Sequence, residues 1–432
     1  MSVLEVTGGR PLRGRLRVPG DKSVSHRALL LAALAEGTSH VTGLALGDDV
    51  ARTADALRGL GARVDVVRAD RSATATVTGG RHRLHAAAGP LDLGNSGTGM
   101  RLLAGVCASL PWTSTLTGDE SLGTRPMDRV ARPLRLMGAV VEGTGESVRP
   151  PLTVRGGDLH GIDYELPVPS AQVKGAVLLA GLGAAGETVV RESVLSRAHT
   201  EELLAVAGAD VEVSTDHLTT RVRAGTLAPF RVHVPGDPSQ AAFWVVAACI
   251  TPGSDVTVEG VYVGQARAGF LDVLARMGAS VEVDRHDDGT ADIRARYGPL
   301  HGTDVGGAEV PGLIDEIPVL AVAAAVAEGP TTFTGAAELR VKETDRVATL
   351  TSELAAVGAR VEGRPDGLTV PGGGRFHGLA ARSHGDHRIA MALAVAGLAS
   401  DAGGGTPVRI DGWEAVDTSY PGFADDLERL CR

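Results

Sequence analysis

Val18-Pro19-Gly20-Asp21 recurs as Val234-Pro235-Gly236-Asp237, and the second copy begins 216 residues after the first (234 − 18), half of the 432-residue chain. A chain that repeats at half its own length is read as two similar halves before any local feature is weighed. Within each half a shorter pattern returns: Gly-Ala-x-Val and an acidic residue start at Gly61, Gly138, Gly208, Gly278 and Gly358. Each glycine follows a leucine-rich stretch, such as LDVLARM (271–277) or LTSELAAV (350–357), and precedes a valine-rich alternation. That order predicts helix, glycine C-cap and strand. Every unit also holds an apolar run ending near glycine: SHRALLLAALAEG (25–37), SGTGMRLLAGVCASL (96–110), SAQVKGAVLLAGLG (170–183), SQAAFWVVAACITPG (239–253), DEIPVLAVAAAVAEG (315–329) and DHRIAMALAVAGLA (386–399). Helices without a polar face are buried, so these six are expected to form the cores of two three-unit lobes. A sixth Gly-Ala strand is missing after FADDLERL (423–430), while LEVTGGRPLRG (4–14) resembles the unit tail LTVRGGDLHG (152–161). The N-terminal segment should therefore complete the last unit. One lobe is read as 1–20 with 237–432, the other as 21–236, and the two Val-Pro-Gly-Asp copies as paired crossovers near 18–21 and 234–237 that could act as a hinge.

Composition narrows the partners. A formal net charge of −10 argues against nucleic acid, whose phosphates need a basic face. Aromatics are only 3% of the chain and glycines number 58, which suits closely packed, frequently turning elements. Cys107, Cys249 and Cys431 lie far apart and show neither a disulfide framework nor metal-ligand spacing. No signal-like or 18-residue apolar stretch is present, so a reduced, cytoplasmic protein without a membrane partner is expected. A monomer is expected too, since no amphipathic association stripe stands out.

Chemistry gathers where the apolar runs begin: Ser25-His26-Arg27, Asn95-Ser96-Gly97-Thr98, Ser170-Ala171-Gln172, Ser239-Gln240, Asp315-Glu316 and Asp386-His387-Arg388. Helix capping explains the Ser, Asn and Asp. It does not explain Arg27 and Arg388, since a cation in a first turn opposes the helix dipole. Cations there make sense where an anion meets the same helix end. Lys22, Arg101, Arg125, Arg197, Lys342 and Arg346 on the connecting segments enlarge the basic set, and two small polyanions would fit it. The carboxylates beside it are Asp315, Glu343, Asp237 and Asp386. For Asp315 an N-cap and a proton-transfer role both stay open; for Glu343 a plain salt bridge stays open.

PGDKSVSHRALLLAALAEG (19–37), LGNSGTGMRLLAG (93–105), RPM (125–127), SAQVK (170–174), VKETDR (341–346) and DHRIAMA (386–392), in this order, resemble the enolpyruvyl transferases across essentially the whole chain, above all the branch whose acceptor is shikimate 3-phosphate. The resemblance implies an α/β fold of two similar lobes, each an inside-out α/β barrel of three repeated units, closing on the substrates. It implies transfer of the carboxyvinyl group of phosphoenolpyruvate to the acceptor's 5-hydroxyl with release of phosphate, without metal or cofactor. By the same resemblance, shikimate 3-phosphate is held by Lys22, Ser23, Arg27, Ser170, Ala171, Gln172, Arg197, Asp315 and Lys342. Phosphoenolpyruvate is held by Lys22, Asn95, Gly97, Arg125, Gln172, Arg346 and Arg388. Asp315, Glu343 and Lys22 are the implied catalytic groups, and glyphosate the implied inhibitor. Ala171, Arg197, His199, Leu102 and Thr418 depart from the best-known branch, which has a lysine in place of Thr418. A sister enzyme acting on a UDP-sugar carries a cysteine on a mobile loop; 113–129 here contains none. A paralogue with a modified acceptor and a polyanion-binding repeat scaffold remain as alternatives.

Overall fold

The computed structural model describes residues 2–69, 71–378, 380–400 and 406–432. The chain divides into a continuous unit, Gly20–Val234, and a discontinuous one made of Met1–Pro19 with Pro235–Arg432. Both divisions fall inside the Val-Pro-Gly-Asp copies.

In the continuous unit the helices are α1 (Lys22–Leu34), α2 (Asp48–Gly59), α3 (Gly97–Ala108), α4 (Glu120–Thr124), α5 (Asp128–Leu136), α6 (Ala171–Gly181) and α7 (His199–Val206). Three of them, α1, α3 and α6, are apolar runs and almost wholly buried. Helix α3 packs on both others. A methyl group on Gly105 would stand 2.2 Å from the Ala176 carbonyl oxygen, so only glycine lets α3 come this close to α6. By contrast α2 and α5 bury one face, through Val50, Ala54 and Leu57 and through Val130, Ala131 and Leu134. Three four-stranded sheets cover the helices. Their strand orders are Arg231–His233, Gly37–Leu44, Ala73–Gly79, Arg63–Arg68; Leu91–Asp92, Thr113–Thr117, Arg149–Arg155, Val140–Thr144; and Asp163–Glu165, Glu187–Arg191, Thr219–Arg223, Val211–Val213. In each sheet the first pair is parallel and the other two pairs antiparallel.

The discontinuous unit contains α8 (Pro238–Ile250), α9 (Gly269–Arg276), α10 (Ile317–Val326), α11 (Arg346–Ala356), α12 (His387–Leu398) and α13 (Phe423–Leu430). Here α8, α10 and α12 are the buried runs, and each packs on the other two. All five Gly-Ala glycines end their helices in the left-handed region, with φ of 98, 107, 72, 80 and 97° at Gly61, Gly138, Gly208, Gly278 and Gly358. Among the described residues two of this unit's sheets are four-stranded and the last has three strands, in the order Val3–Val6, Val408–Asp411, Ala380–Arg382. Val3 pairs with Asp411 and Val6 with Val408, antiparallel, so the N-terminal segment supplies a strand to the sheet whose other two strands flank α12.

The short strands beside the crossovers are exchanged. Around α3, α6, α10 and α12 the strand before the helix pairs parallel with the strand after it. Before α1 comes Arg13–Leu16, yet it pairs with Asp255–Tyr262, the strand after α8. Before α8 comes Arg231–His233, yet it pairs with Gly37–Leu44, the strand after α1. Among the described residues no helix is long and apolar enough to cross a membrane.

Candidate active site

In the continuous unit α1 begins earlier than the sequence suggested. Asp21 is its N-cap, accepting from the Val24 N–H at 2.9 Å, and Lys22 is its first residue. Arg27 therefore lies in the second turn, not the first, and the dipole argument made for it does not apply. Lys22 and Arg101, expected on connecting segments, are helical. Lys22 Nζ meets Asp49 Oδ2 at 2.9 Å. Arg27, 1% exposed, donates from Nε to Thr200 Oγ1 at 2.7 Å, from Nη1 to the Ser23 carbonyl at 3.0 Å and from Nη2 to the Ala171 carbonyl at 3.0 Å. Arg197 Nη1 lies 3.5 Å from Ser23 Oγ. Lys22, Ser23, Arg27, Ala171 and Arg197 are thus brought together at the starts of α1 and α6, where Ser170 caps α6 and Gln172 occupies its first turn. Burial pulls the Arg27 guanidinium down to about 10, opposed by Glu201 and Asp21 and reinforced by Arg197. Positive charge crowded in this way favours a bound anion.

A second group surrounds the start of α3. Arg125, buried at the end of α4, donates to Asn95 Oδ1 at 2.5 Å and to Ser121 Oγ at 3.2 Å, while Asn95 Nδ2 donates to Asp119 at 2.8 Å. Gly97 opens α3, and a methyl there would meet Arg101 Nη1 at 2.9 Å and Arg125 Nη1 at 3.2 Å. His26 links this group to α1. Its Nδ1 is 2.8 Å from Thr53 Oγ1 and its Nε2 is 3.4 Å from Ser96 Oγ, the α3 cap. Burial holds this imidazole well below its usual value of 6.5, and the charges of Lys22 and Arg27 lower it further. The folded state therefore refuses a proton that the unfolded chain accepts below that value, so stability falls as pH drops through about 6.5 toward the folded value. Relative to His26→Gln, the parent should lose about 1.4 kcal/mol per pH unit in that window. Urea unfolding of both proteins at several pH values checks this; parallel pH profiles would show that His26 is protonated when folded.

In the discontinuous unit Arg346, 1% exposed, gathers three carboxylates. It reaches Asp386 Oδ2 at 2.8 Å, Glu343 Oε2 at 2.6 Å and Asp315 Oδ1 at 3.3 Å. Lys342 Nζ lies 3.4 Å from the same Asp315 oxygen. Burial alone would lower the Arg346 pKa; Asp386, Glu343 and Asp315 outweigh it and raise it. Arg346 is the first residue of α11, not part of a connecting segment. Asp315 does not cap α10, because the cap position is Glu316, whose side chain makes no capping bond. Asp386 caps α12 through the Arg388 N–H at 2.9 Å and is fully buried, tied to Arg346. Arg388 is buried with Nη1 lacking a hydrogen-bond partner, a donor suited to an anion. The Thr418 hydroxyl donates to the Ala415 carbonyl at 2.8 Å. Among the described residues no group of three or more His, Cys, Asp or Glu side chains could hold a metal ion.

Two buried ionic groups escaped the sequence reading. Lys174, 2% exposed on α6, bonds Glu192 at 2.6 Å and Glu201 at 2.7 Å. Arg267, 2% exposed, bonds Asp237 at 2.5 Å and Glu316 at 3.2 Å. For Lys174 a signal existed: a lone lysine inside AQVKGAVLLAG must find buried counter-charges. The separation of these partners in sequence hid which ones.

Residues 6–427 match the sequence profile of the family described as EPSP synthase (3-phosphoshikimate 1-carboxyvinyltransferase). The chain belongs to the EPSP synthase family. A 3-phosphoshikimate 1-carboxyvinyltransferase of Gloeobacter violaceus is 50% identical over 431 residues, covering 98% of each chain. The solved structure of EPSP synthase from Acinetobacter baumannii is 42% identical and superposes with a TM-score of 0.84, covering 99% of this chain and 98% of that one. The enolpyruvyl transferase NikO from Streptomyces tendae, 22% identical with a TM-score of 0.80, shares the fold. The architecture is thus the two-lobed inside-out α/β fold of EPSP synthases, helices within and sheets outside.

Proposed function

We infer that this member of the EPSP synthase family transfers the carboxyvinyl group of phosphoenolpyruvate to the 5-hydroxyl of shikimate 3-phosphate, releasing phosphate, in aromatic amino acid biosynthesis. The observation that carries the reading is the joining of Asp315, Glu343 and Lys342 through or beside one buried Arg346 in a chain that matches the family along its length. Plain anion binding would gain nothing from carboxylates at that place. In this reading a proton delivered by way of Glu343 adds to the phosphoenolpyruvate methylene and makes the central carbon electrophilic. Asp315 accepts the hydroxyl proton as the acceptor oxygen attacks; Lys22 then assists phosphate as it leaves the tetrahedral intermediate, while the methyl group returns a proton by way of Glu343 and the vinyl double bond is restored. Lys22, Ser23, Arg27, Ser170, Ala171, Gln172, Arg197, Asp315 and Lys342 would hold the acceptor. Lys22, Asn95, Gly97, Arg125, Gln172, Arg346 and Arg388 would hold phosphoenolpyruvate, the cations orienting both anions. A monomeric, cytoplasmic enzyme belongs to the same proposal. Phosphate release by purified protein given both substrates tests it; no release at saturating concentrations sinks it.

Glyphosate inhibition is a further expected result. The methyl of Gly97→Ala would press on the ends of two arginine side chains, which can move, so folding should change little. Displacing Arg125 weakens what lies against it. The inhibition constant for glyphosate should rise by about 10- to 100-fold, about 1.4 to 3 kcal/mol, with a smaller rise in KM for phosphoenolpyruvate. A parent already insensitive to millimolar glyphosate would contradict this.

A further inference from the structure

Arg267 stands outside the proposed reaction groups, yet the chain takes an unfavourable backbone to bury it. Ala266, just before it, has φ 51°, a left-handed conformation that residues with a side chain disfavour. This turn lies against the one leading to Asp315: a methyl on Gly312 would stand 3.5 Å from the Ala266 carbonyl carbon, and one on Gly269 3.4 Å from Leu313 Cδ2. From there the guanidinium takes Asp237 Oδ1 at 2.5 Å with Nη2, and with Nη1 takes Ser239 Oγ at 2.8 Å and Glu316 Oε1 at 3.2 Å. The Ser239 hydroxyl donates to the same Glu316 oxygen. Asp237 is the N-cap of α8, so one planar fork ties the start of α8 to the residue following Asp315.

Stability alone does not account for this arrangement. One cation faces two buried carboxylates, and Glu316 Oε2 is buried without a hydrogen-bond partner. What the fork does fix is the turn carrying Asp315. Lys342 and Arg346 reach the Asp315 carboxylate at 3.4 and 3.3 Å, and its direction depends as well on the backbone that carries it. That backbone is pinned at Glu316: its N–H donates to the Leu313 carbonyl at 2.9 Å, and its carbonyl accepts from the Leu320 N–H at 3.0 Å.

We propose that Arg267 is a positioning residue for Asp315, fixing the 313–316 turn through Glu316 and so the direction of the Asp315 carboxylate. The proposal rests on Asp315 being the group that takes the acceptor's proton. A double-mutant cycle tests it, with kcat measured at saturating substrates for Arg267→Lys, Asp315→Asn and the pair. Lysine keeps the charge and loses the fork. Arg267→Lys should lower kcat by about 10- to 100-fold, with both KM values within about threefold, because misaim affects the transition state rather than binding. In the Asp315→Asn background it should cost nothing further. An equal loss in both backgrounds overturns the positioning role. Glu316→Gln, which keeps the acceptor atom and leaves Arg267 in place, is run through the same cycle with unfolding temperatures recorded, so that failure of Arg267→Lys to fold does not decide the matter. For this variant a loss of about 10-fold that vanishes in the Asp315→Asn background is expected, and additivity again overturns the role. An active parent with additive cycles refutes only the positioning role, whereas a parent that releases no phosphate refutes the functional reading beneath it.

Discussion

Asp315→Asn is expected to lower kcat by about 10²- to 10⁴-fold, the range of a well-placed acid or base. Its fold should be almost untouched. Asp315 caps no helix, since α10 begins at Ile317 with Glu316 in the cap position. Asparagine keeps a carbonyl oxygen for the cations of Lys342 and Arg346, so neither is left facing an empty space. Removing one carboxylate charge from the three around Arg346 should even relieve some repulsion among them, and unfolding temperature should shift by no more than about 2–4 °C. Rapid-quench measurement of phosphate release separates chemistry from product release in this variant. Full activity would move the proton route away from Asp315, with Glu343 the next group to replace.

Lys174→Met is expected to destabilise the protein by about 3–5 kcal/mol, as removal of one member of a buried ion group does. Methionine matches the lysine stem in length and takes away only the ammonium. Glu192 and Glu201 would then face each other's charge in a buried space, and each already has one oxygen without a partner. The damage should reach Arg27, whose charge Glu201 supports and whose Nε rests on Thr200. Chemical denaturation gives the stability loss. The combined change Lys174→Met, Glu192→Leu, Glu201→Leu should recover much of it, because an apolar replacement of a whole buried ion group is often neutral. If the triple variant is no more stable than the single one, uncompensated charge is not the cause.

The helices and their glycine caps were legible because they rest on local signals. Six apolar runs and five Gly-Ala motifs each report their own helix or cap, and each run holds a helix and each glycine ends one. Helix starts were less legible. Asp21 was taken as part of a crossover motif, and only the structure shows it capping α1, which moves Arg27 one turn inward. At α10 the misreading has a different cause: Pro318 cannot donate an N–H and is at home in a first turn, so it sets the start at Ile317 and leaves Asp315 outside. The exchange of Arg13–Leu16 and Arg231–His233 was invisible, since strands of three or four residues carry little periodicity and their partners lie about 190 to 240 residues away. For the same reason Arg267 gave no hint of Asp237 and Glu316.

That discontinuity sets an order of events during synthesis. Residues 20–234 include every strand of their unit, so this stretch can finish folding on the ribosome as soon as Arg231–His233 emerges to pair with Gly37–Leu44. Residues 1–19, made before that stretch, have to wait. Arg13–Leu16 finds Asp255–Tyr262 only after the continuous unit has been made, and Val3–Val6 finds Val408–Asp411 about 150 residues later still. Until then two short strands stay unpaired on the nascent chain, open to wrong partners. Residues 235–432 made without 1–19 should expose the unmatched edges of Asp255–Tyr262 and Val408–Asp411 and aggregate, whereas a circular permutant beginning at Pro235, with Arg432 linked to residue 1, would deliver both strands beside their partners and let each unit fold as it leaves the ribosome.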